Sequence, residues 1–205
     1  GPSFSDDEIE SALNRRKITY EKIPNMPSKI AGLLLEGHIV AVFNGRMEFG
    51  ERALGNRSIL GDPRDKTMKD KINKSIKYRE SFRPFAPAVL ADRVCEIFDV
   101  EKNFKCTFME KVVPVRTQHR DNLPAITHVD GSGRVQTVEK ENDPFFYKII
   151  EEFEKHSGYP LVLNTSFNIN GEPIALSPDD ALTTFFNSGL EHIAIGSFLV
   201  KKHFI

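Results

Sequence analysis

A chain of 205 residues, 40% of them hydrophobic, with 16 phenylalanines and no tryptophan, is long enough for one large domain with a substantial core. Its 28 basic and 29 acidic residues leave a net charge of -1. That balance speaks against a dedicated nucleic-acid binder, no apolar run reaches bilayer length, and the N-terminus carries no signal-peptide pattern. Two cysteines, Cys95 and Cys106, make neither a disulfide framework nor a zinc site, and Cys95 in the apolar run RVCEIF reads as a buried thiol in a reducing cytoplasm. The six histidines form no HxxxH or HxH pair, which makes a protein-built transition-metal site improbable. Gly1-Pro2 has the form of a protease scar, so the expected domain is a single one over residues 4–205.

In chain order, Ser5 followed by Asp6, Asp7 and Glu8 predicts a capped first helix. ITYEKI alternates as a short strand. Pro27-Ser28 opens a second helix, SKIAGLLLEG, with Gly37 as its stop. HIVAVF is apolar, β-branched and short, as a buried strand is, and it runs straight into a glycine- and arginine-rich loop. ILGD is another strand. A helix is predicted from Pro63 to Ile76, with Met68, Ile72 and Ile76 on one face and lysines on the other. AVLA is a strand, and Asp92 caps the helix DRVCEIFD. Residues 105–115 look extended, residues 116–132 turn-rich, and RVQTV is a strand. Pro144 and Gly158 bracket a long helix. PLVLNTSF is a buried strand, Ser177-Pro178 start another helix, and HIAIGSFLVKK closes the chain as a strand pair or one bent strand. Helices and strands alternate without a clean βαβ period, so the expected class is α/β (α+β): an open, twisted, mixed sheet with flanking helices.

Chemistry concentrates in four places. Between Gly45 and Pro87, arginines 46, 52, 57, 64, 79 and 83 sit among glycines and small polar residues. Glycine lets backbone approach a ligand, and arginine offers bidentate geometry to phosphate or carboxylate. A polyanionic small molecule is the natural target. The spacing is neither that of a dinucleotide-binding fingerprint nor that of a P-loop. Lys77-Tyr78-Arg79 and Arg83-Pro84-Phe85 lie between a basic helix and a buried strand. Leu163 to Asn168 is an apolar strand ending in small hydrogen-bonding side chains, suited to phosphate oxygens, ribose hydroxyls or magnesium-bound water. Thr127 to Gly131, with Arg134, adds His128 before an acidic turn. No Ser-His-Asp or Cys-His pattern is legible.

Together the runs GRMEFGERALGNRSILGDPRD, FRPFAPAVL, PAITHVDGSGRVQTV and LNTSFNINGEPI, followed by SPDDAL, resemble the C-terminal domain of the O-carbamoyltransferases. That family includes enzymes that carbamoylate nodulation factors and antibiotics such as tobramycin and cephamycins. The resemblance spans Pro27 to Lys202, and the domain is similar to the YrdC-like fold shared with threonylcarbamoyl-adenylate synthases and the hydrogenase-maturation carbamoyltransferase. Lys77 and Arg79 match that superfamily's Lys-x-Arg signature; Ser166 and Asn168 match its Ser-x-Asn signature.

The resemblance implies formation of carbamoyl-adenylate from ATP and carbamoyl phosphate with Mg²⁺. It places Lys77, Arg79 and Arg83 at the charge developing on the α- and β-phosphates. Arg46, Arg52 and Arg57 fall at the phosphates or the carbamoyl donor, Ser166 and Asn168 at phosphate or its magnesium, and His128 at the nucleotide; no metal ligand of the chain itself is implied. It also implies an N-terminal ASKHA-type domain, with a metal site, that passes the carbamoyl group to a hydroxyl and that is missing from this chain. Two other readings stand beside it: an RNA-binding module of the same fold, disfavoured by the near-neutral charge, and an inert fragment that needs the missing domain to order its loops.

Overall fold

The computed structural model describes residues 1–80 and 82–202. Helix α1 (Asp6–Arg15) starts in a capping box, in which the Ser5 hydroxyl accepts from the Glu8 backbone N–H while the Glu8 carboxylate accepts from Ser5. Strand β1 (Glu21–Lys22) is much shorter than the expected ITYEKI strand. Helix α2 (Met26–Leu35) has Pro27 in its first turn and ends before Gly37, whose φ of 84° lets the chain reverse. Strands β2 (Val40–Phe43) and β3 (Arg57–Gly61) flank the glycine-arginine loop.

The helix expected from Pro63 to Ile76 starts five residues later. Asp65 caps a turn there instead, accepting from the backbone and hydroxyl of Thr67. Helix α3 (Met68–Ile72) then widens into a π-helical turn, Asn73–Lys77. Strand β4 (Ala86–Leu90) follows. The helix expected after Asp92 is a 3₁₀ turn (Ala91–Arg93) leading into the single turn α4 (Val94–Ile97), and no side chain caps either. Cys95 is half-exposed on that turn, and Cys106 is the buried thiol. Strand β5 (Lys111–Pro114) occupies only the end of the expected extended stretch, and the turn-rich segment contains the short helix α5 (Thr117–Arg120). Strand β6 (Ser132–Val138), helix α6 (Pro144–Ser157), strand β7 (Leu161–Ser166) and helix α7 (Pro178–Phe186) lie where the sequence places them. The C-terminal run is a pair, β8 (His192–Ile195) and β9 (Phe198–Lys201), joined through Gly196 at φ 57°.

Among the described residues one sheet forms in the order β1-β9-β8-β2-β3-β7-β4-β6-β5. The pairs β2–β8 and β4–β6 are parallel and the others antiparallel. The central strands β2, β3 and β4 are buried throughout, so both faces of the sheet are covered. Alternation divides their side chains. Val40, Val42, Leu60, Ala88 and Val162 face helices α2 and α6, through Ile30, Leu34, Phe146 and Phe153. Ala41, Phe43, Ile59, Val89 and Leu163 face α1, α7 and α3, through Ile9, Leu13, Leu182, Phe185 and Ile72.

The register has one consequence for function. Phe43 pairs with Arg57, Ser58 with Ser166, Asn164 with Ala86, and Ala88 with Gln136. The end of β2, the start of β3, the end of β7 and the starts of β4 and β6 therefore share one edge of the sheet. All four chemistry-bearing segments emerge there.

Candidate functional site

The loop from Asn44 to Asn56 is shaped from inside. The Glu48 carboxylate accepts from the backbone N–H groups of Leu54 (2.7 Å), Asn56 (2.8 Å) and Arg57 (3.3 Å). Gly55 lies against the Phe146 ring at φ 136°, and a Cβ there would meet Phe146 Cδ1 at 2.5 Å. From below, Gln136 Nε2 donates to Leu54 O, and Asn164 Nδ2 donates to Ala53 O and to Gln136 Oε1. A buried amide pair from β6 and β7 thus ties the loop to the sheet.

Arg57 belongs to this scaffold. Its side chain is fully buried, its guanidinium lies 3.6 Å from the centre of the Phe43 ring, and Nη1 donates to Asn44 O and Asn56 O. Burial pulls its pKa down to about 10, with Glu48 opposing. Arg64 is also occupied, in a fork on the Asp62 carboxylate. Arg46 is exposed at the outer edge of the loop and donates to Gly1 O. Arg52 points outward with Glu51 3.2 Å away.

Lys77 and the Ser166–Asn168 pair meet. The π-helical turn ends at Tyr78 in the left-handed region (φ 45°), an uncommon conformation for a bulky residue. This wide turn sends Lys77 inward. Its Nζ donates to Ser166 O (2.7 Å), Ser166 Oγ (3.2 Å), Asn168 O (3.0 Å) and Asn168 Oδ1 (2.8 Å). Ser166 Oγ and Asn168 Oδ1 are themselves 2.6 Å apart, and Asn168 Nδ2 is anchored on Glu172 O. Burial, with the Arg79 charge adding to it, pulls the Lys77 pKa down to about 7. The surrounding oxygens work in the other direction, favouring the ammonium.

The remaining cations form a string. Arg79 is half-buried over the Phe85 ring, with Nε on Asn73 Oδ1 at 2.8 Å. Burial lowers its pKa first, then the charges of Arg83 and Arg134. Burial lowers that of Arg134, on β6, and the Arg52 charge adds to this. His128 is lowered by burial, with Arg134 and Lys69 adding and Asp130 opposing. Its Nδ1 lies 3.1 Å from Ser132 Oγ, and its Nε2 is buried without a partner. Lys77, Arg79, Arg83, Arg134, Arg52 and His128 therefore feel one another across the end of the sheet. The carboxylates acting on them, Glu51, Glu80 and Asp130, are exposed. The site expectations miss Arg134 as a principal member and Glu48 as the organiser of the loop. Its position two residues into a strand beginning at a glycine turn is the signal that marks Arg134. No local pattern marks Glu48. Among the described residues no helix is long and apolar enough to cross a membrane.

Comparison with known proteins places this arrangement in a family. The family model for the carbamoyltransferase C-terminus matches residues 31–202. The nodulation protein NolNO of Sinorhizobium fredii is 46% identical over 206 residues, covering 98% of this chain and 30% of that protein. The 3'-hydroxymethylcephem-O-carbamoyltransferase of Amycolatopsis lactamdurans is 35% identical over 170 residues, covering 82% of this chain and 31% of that protein. The chain spans about a third of the length of the curated relatives it matches. Its fold is shared with full-length HypF, solved in a phosphate- and nucleotide-bound form, at a TM-score of 0.58 and 16% identity over 85% of this chain and 25% of that one. With the motifs in order along nearly the whole match and the sheet that carries them now traced, the chain belongs to the carbamoyltransferase family, in the part that the family model describes as its C-terminus.

Proposed function

We propose that this domain, over residues 4–205, binds ATP and carbamoyl phosphate and forms carbamoyl-adenylate for O-carbamoylation elsewhere in a longer protein. The observation that carries the reading is the cluster of cations at one end of the sheet, with Lys77 held by Ser166 and Asn168 and Arg79 by Asn73 and Phe85; among the described residues the carboxylates beside them, Glu80 paired with Arg83, Glu51 paired with Arg52, and Asp130, are exposed. A polyphosphate would neutralise that cluster. HypF, which shares the fold, is described as phosphate- and nucleotide-bound, in keeping with this reading.

The chemistry balances in two steps. Water cleaves carbamoyl phosphate to carbamate and inorganic phosphate. A carbamate oxygen then attacks the α-phosphorus of ATP, the bond to the β-phosphate oxygen breaks, and pyrophosphate leaves with the negative charge. Such a transfer asks for alignment and charge stabilisation more than for covalent work by the protein. Lys77, preset by the Ser166 and Asn168 oxygens, and Arg79, braced by Asn73 and Phe85, are the two cations held in fixed positions; we assign them to the α- and β-phosphates. Arg83, Arg134 and Arg52 gather the donor and the outgoing pyrophosphate, with Arg46 at the rim. Arg57 acts through the loop that it holds. His128 Nε2, buried and unpartnered, suits a contact to the nucleotide. Magnesium bound with ATP would neutralise phosphate charge; Ser166 Oγ keeps one lone pair that fits water in its shell, while Asn168 Oδ1 is taken up by Lys77 and Ser166. Incubating the chain with ATP, Mg²⁺ and carbamoyl phosphate, and following pyrophosphate and AMP, tests this. Release of pyrophosphate that needs carbamoyl phosphate and is lost in Arg79→Ala supports it. Saturable, salt-sensitive RNA retention that ATP does not displace would favour the RNA-binding reading instead.

A further inference from the structure

At the other end of the sheet the fold assembles a second cluster. Strands β2 and β8 run parallel with Val40 opposite His192. His38, two residues before Val40, therefore comes alongside Glu191 and His192. His38 Nδ1 lies 3.0 Å from Glu191 Oε2, and the two imidazole rings meet edge to face with centroids 4.6 Å apart. One donor atom from each of His38, Glu191 and His192 lies within 4.8 Å of the others. His192 is 2% exposed, and its Nδ1 is a buried atom with no hydrogen-bond partner. A buried imidazole nitrogen without a partner costs free energy that a ligand would recover.

We propose that His38, Glu191 and His192 form a binding site for a divalent borderline metal, with zinc the best match, separate from the phosphate-binding end of the sheet. Two imidazoles and one carboxylate are a donor set that zinc takes with distances of about 2.0–2.2 Å, which sets tetrahedral donors roughly 3.4 Å apart; donor atoms now up to 4.8 Å apart therefore need to close by roughly 1.4 Å at most. Lys29 and Lys201, which line the adjoining cavity, oppose a bound cation. Glu191 in the site and Glu36, 3.7 Å from His38 Nε2, offset them. The cluster borders a cavity of about 710 Å³ between β9 and α2, lined also by Tyr20, Leu33 and Lys201. Three protein donors leave a coordination position for water or a small ligand from that cavity. The metal would also clamp the segment before β2 to the start of β8.

The test is calorimetric titration of the chelator-stripped chain with Zn²⁺ alone, in a non-coordinating buffer, alongside Co²⁺ absorption spectra. The expected result is one Zn²⁺ per chain, a tetrahedral or five-coordinate Co²⁺ spectrum displaced by Zn²⁺, and at least about tenfold weaker binding in His38→Ala and in Glu191→Gln. Both of those side chains are partly exposed, so the variants should fold, which circular dichroism checks; His192→Asn, at a buried position, is the supplementary variant. His156→Ala and Cys95→Ser should bind like the parent chain. No saturable uptake at micromolar Zn²⁺, or undiminished affinity in His38→Ala and Glu191→Gln, overturns the assignment.

Discussion

Lys77 is the residue in which burial and chemistry are most tightly joined. Free, it is pulled to about pH 7 from an ordinary 10.5. A bound polyphosphate adds negative charge beside it and raises that value again. At pH 8, nucleotide binding should therefore take up protons, because burial leaves part of the free protein's Lys77 neutral and the complex holds it charged. Calorimetry in two buffers of different ionisation enthalpy measures this uptake, and Lys77→Gln should abolish it. Uptake that persists in the variant would place the titrating group elsewhere. A second comparison separates a built site from a diffuse field. Arg79 is half-buried and held by Asn73 and Phe85, whereas Lys66 is exposed on the turn before α3. Arg79→Ala should weaken ATP binding by about 2–5 kcal/mol, as loss of a desolvated charge contact does. Lys66→Ala should cost about 0–1 kcal/mol. Equal losses in a binding titration would mean that only the summed charge matters.

Elements here are set by caps and by close approaches. Helix α7 begins in a second capping box, with Ser177 Oγ accepting from Asp180 N and the Asp180 carboxylate accepting back from Ser177. Arg15 and Arg16 at the end of α1 both reach Asp179, in the first turn of α7. Ser177→Ala should lower stability by about 0.5–2 kcal/mol in urea unfolding and leave ATP affinity unchanged, since the hydrogen bonds of Ser177 go to Asp180 and not to a cation of the site. Gly55→Ala should behave differently. The added methyl meets the Phe146 ring in a backbone conformation that L-residues rarely adopt, so strain and overpacking together should cost about 2–5 kcal/mol. Because Gly55 closes the loop that carries Arg46 and Arg52, nucleotide affinity should fall along with the urea midpoint. A variant with unchanged stability would show that the loop repacks freely around Phe146.

At the scale of the molecule, the chemistry-bearing motifs gather at one end of the sheet. Among the described residues nothing at that end pairs a metal cluster with a base for activating an alcohol. Given ATP, Mg²⁺, carbamoyl phosphate and a panel of aminoglycoside or sugar acceptors, this chain should release pyrophosphate slowly and form no O-carbamoylated product, since carbamoyl-adenylate open to water hydrolyses. Mass spectrometry of the acceptors decides; a stoichiometric carbamoylated product would put the transfer site within this domain.

What the sequence by itself determined was local. Ser5 followed by Glu8, Pro144, Ser177-Pro178, and the glycines after α2 and α6 mark helix ends through interactions within a few residues, and these are legible in one dimension. The apolar runs of β2 and β7 mark central strands for the same reason, and the order of the motifs marks the family. The tertiary structure decided which cations share a site. Arg57 turns inward because Phe43, its partner across the β2–β3 ladder, offers a ring to cover and the loop offers carbonyls. Lys77 reaches Ser166 and Asn168, about 90 positions away in sequence, because a π-turn rotates it toward the end of β7. His38 and His192 fall in no motif, which is why a metal site looks improbable in the sequence. They become neighbours because two strands 150 residues apart lie parallel in one register. Register is set by burial of the whole apolar set on its proper face, a property of the assembled sheet that no window of sequence contains.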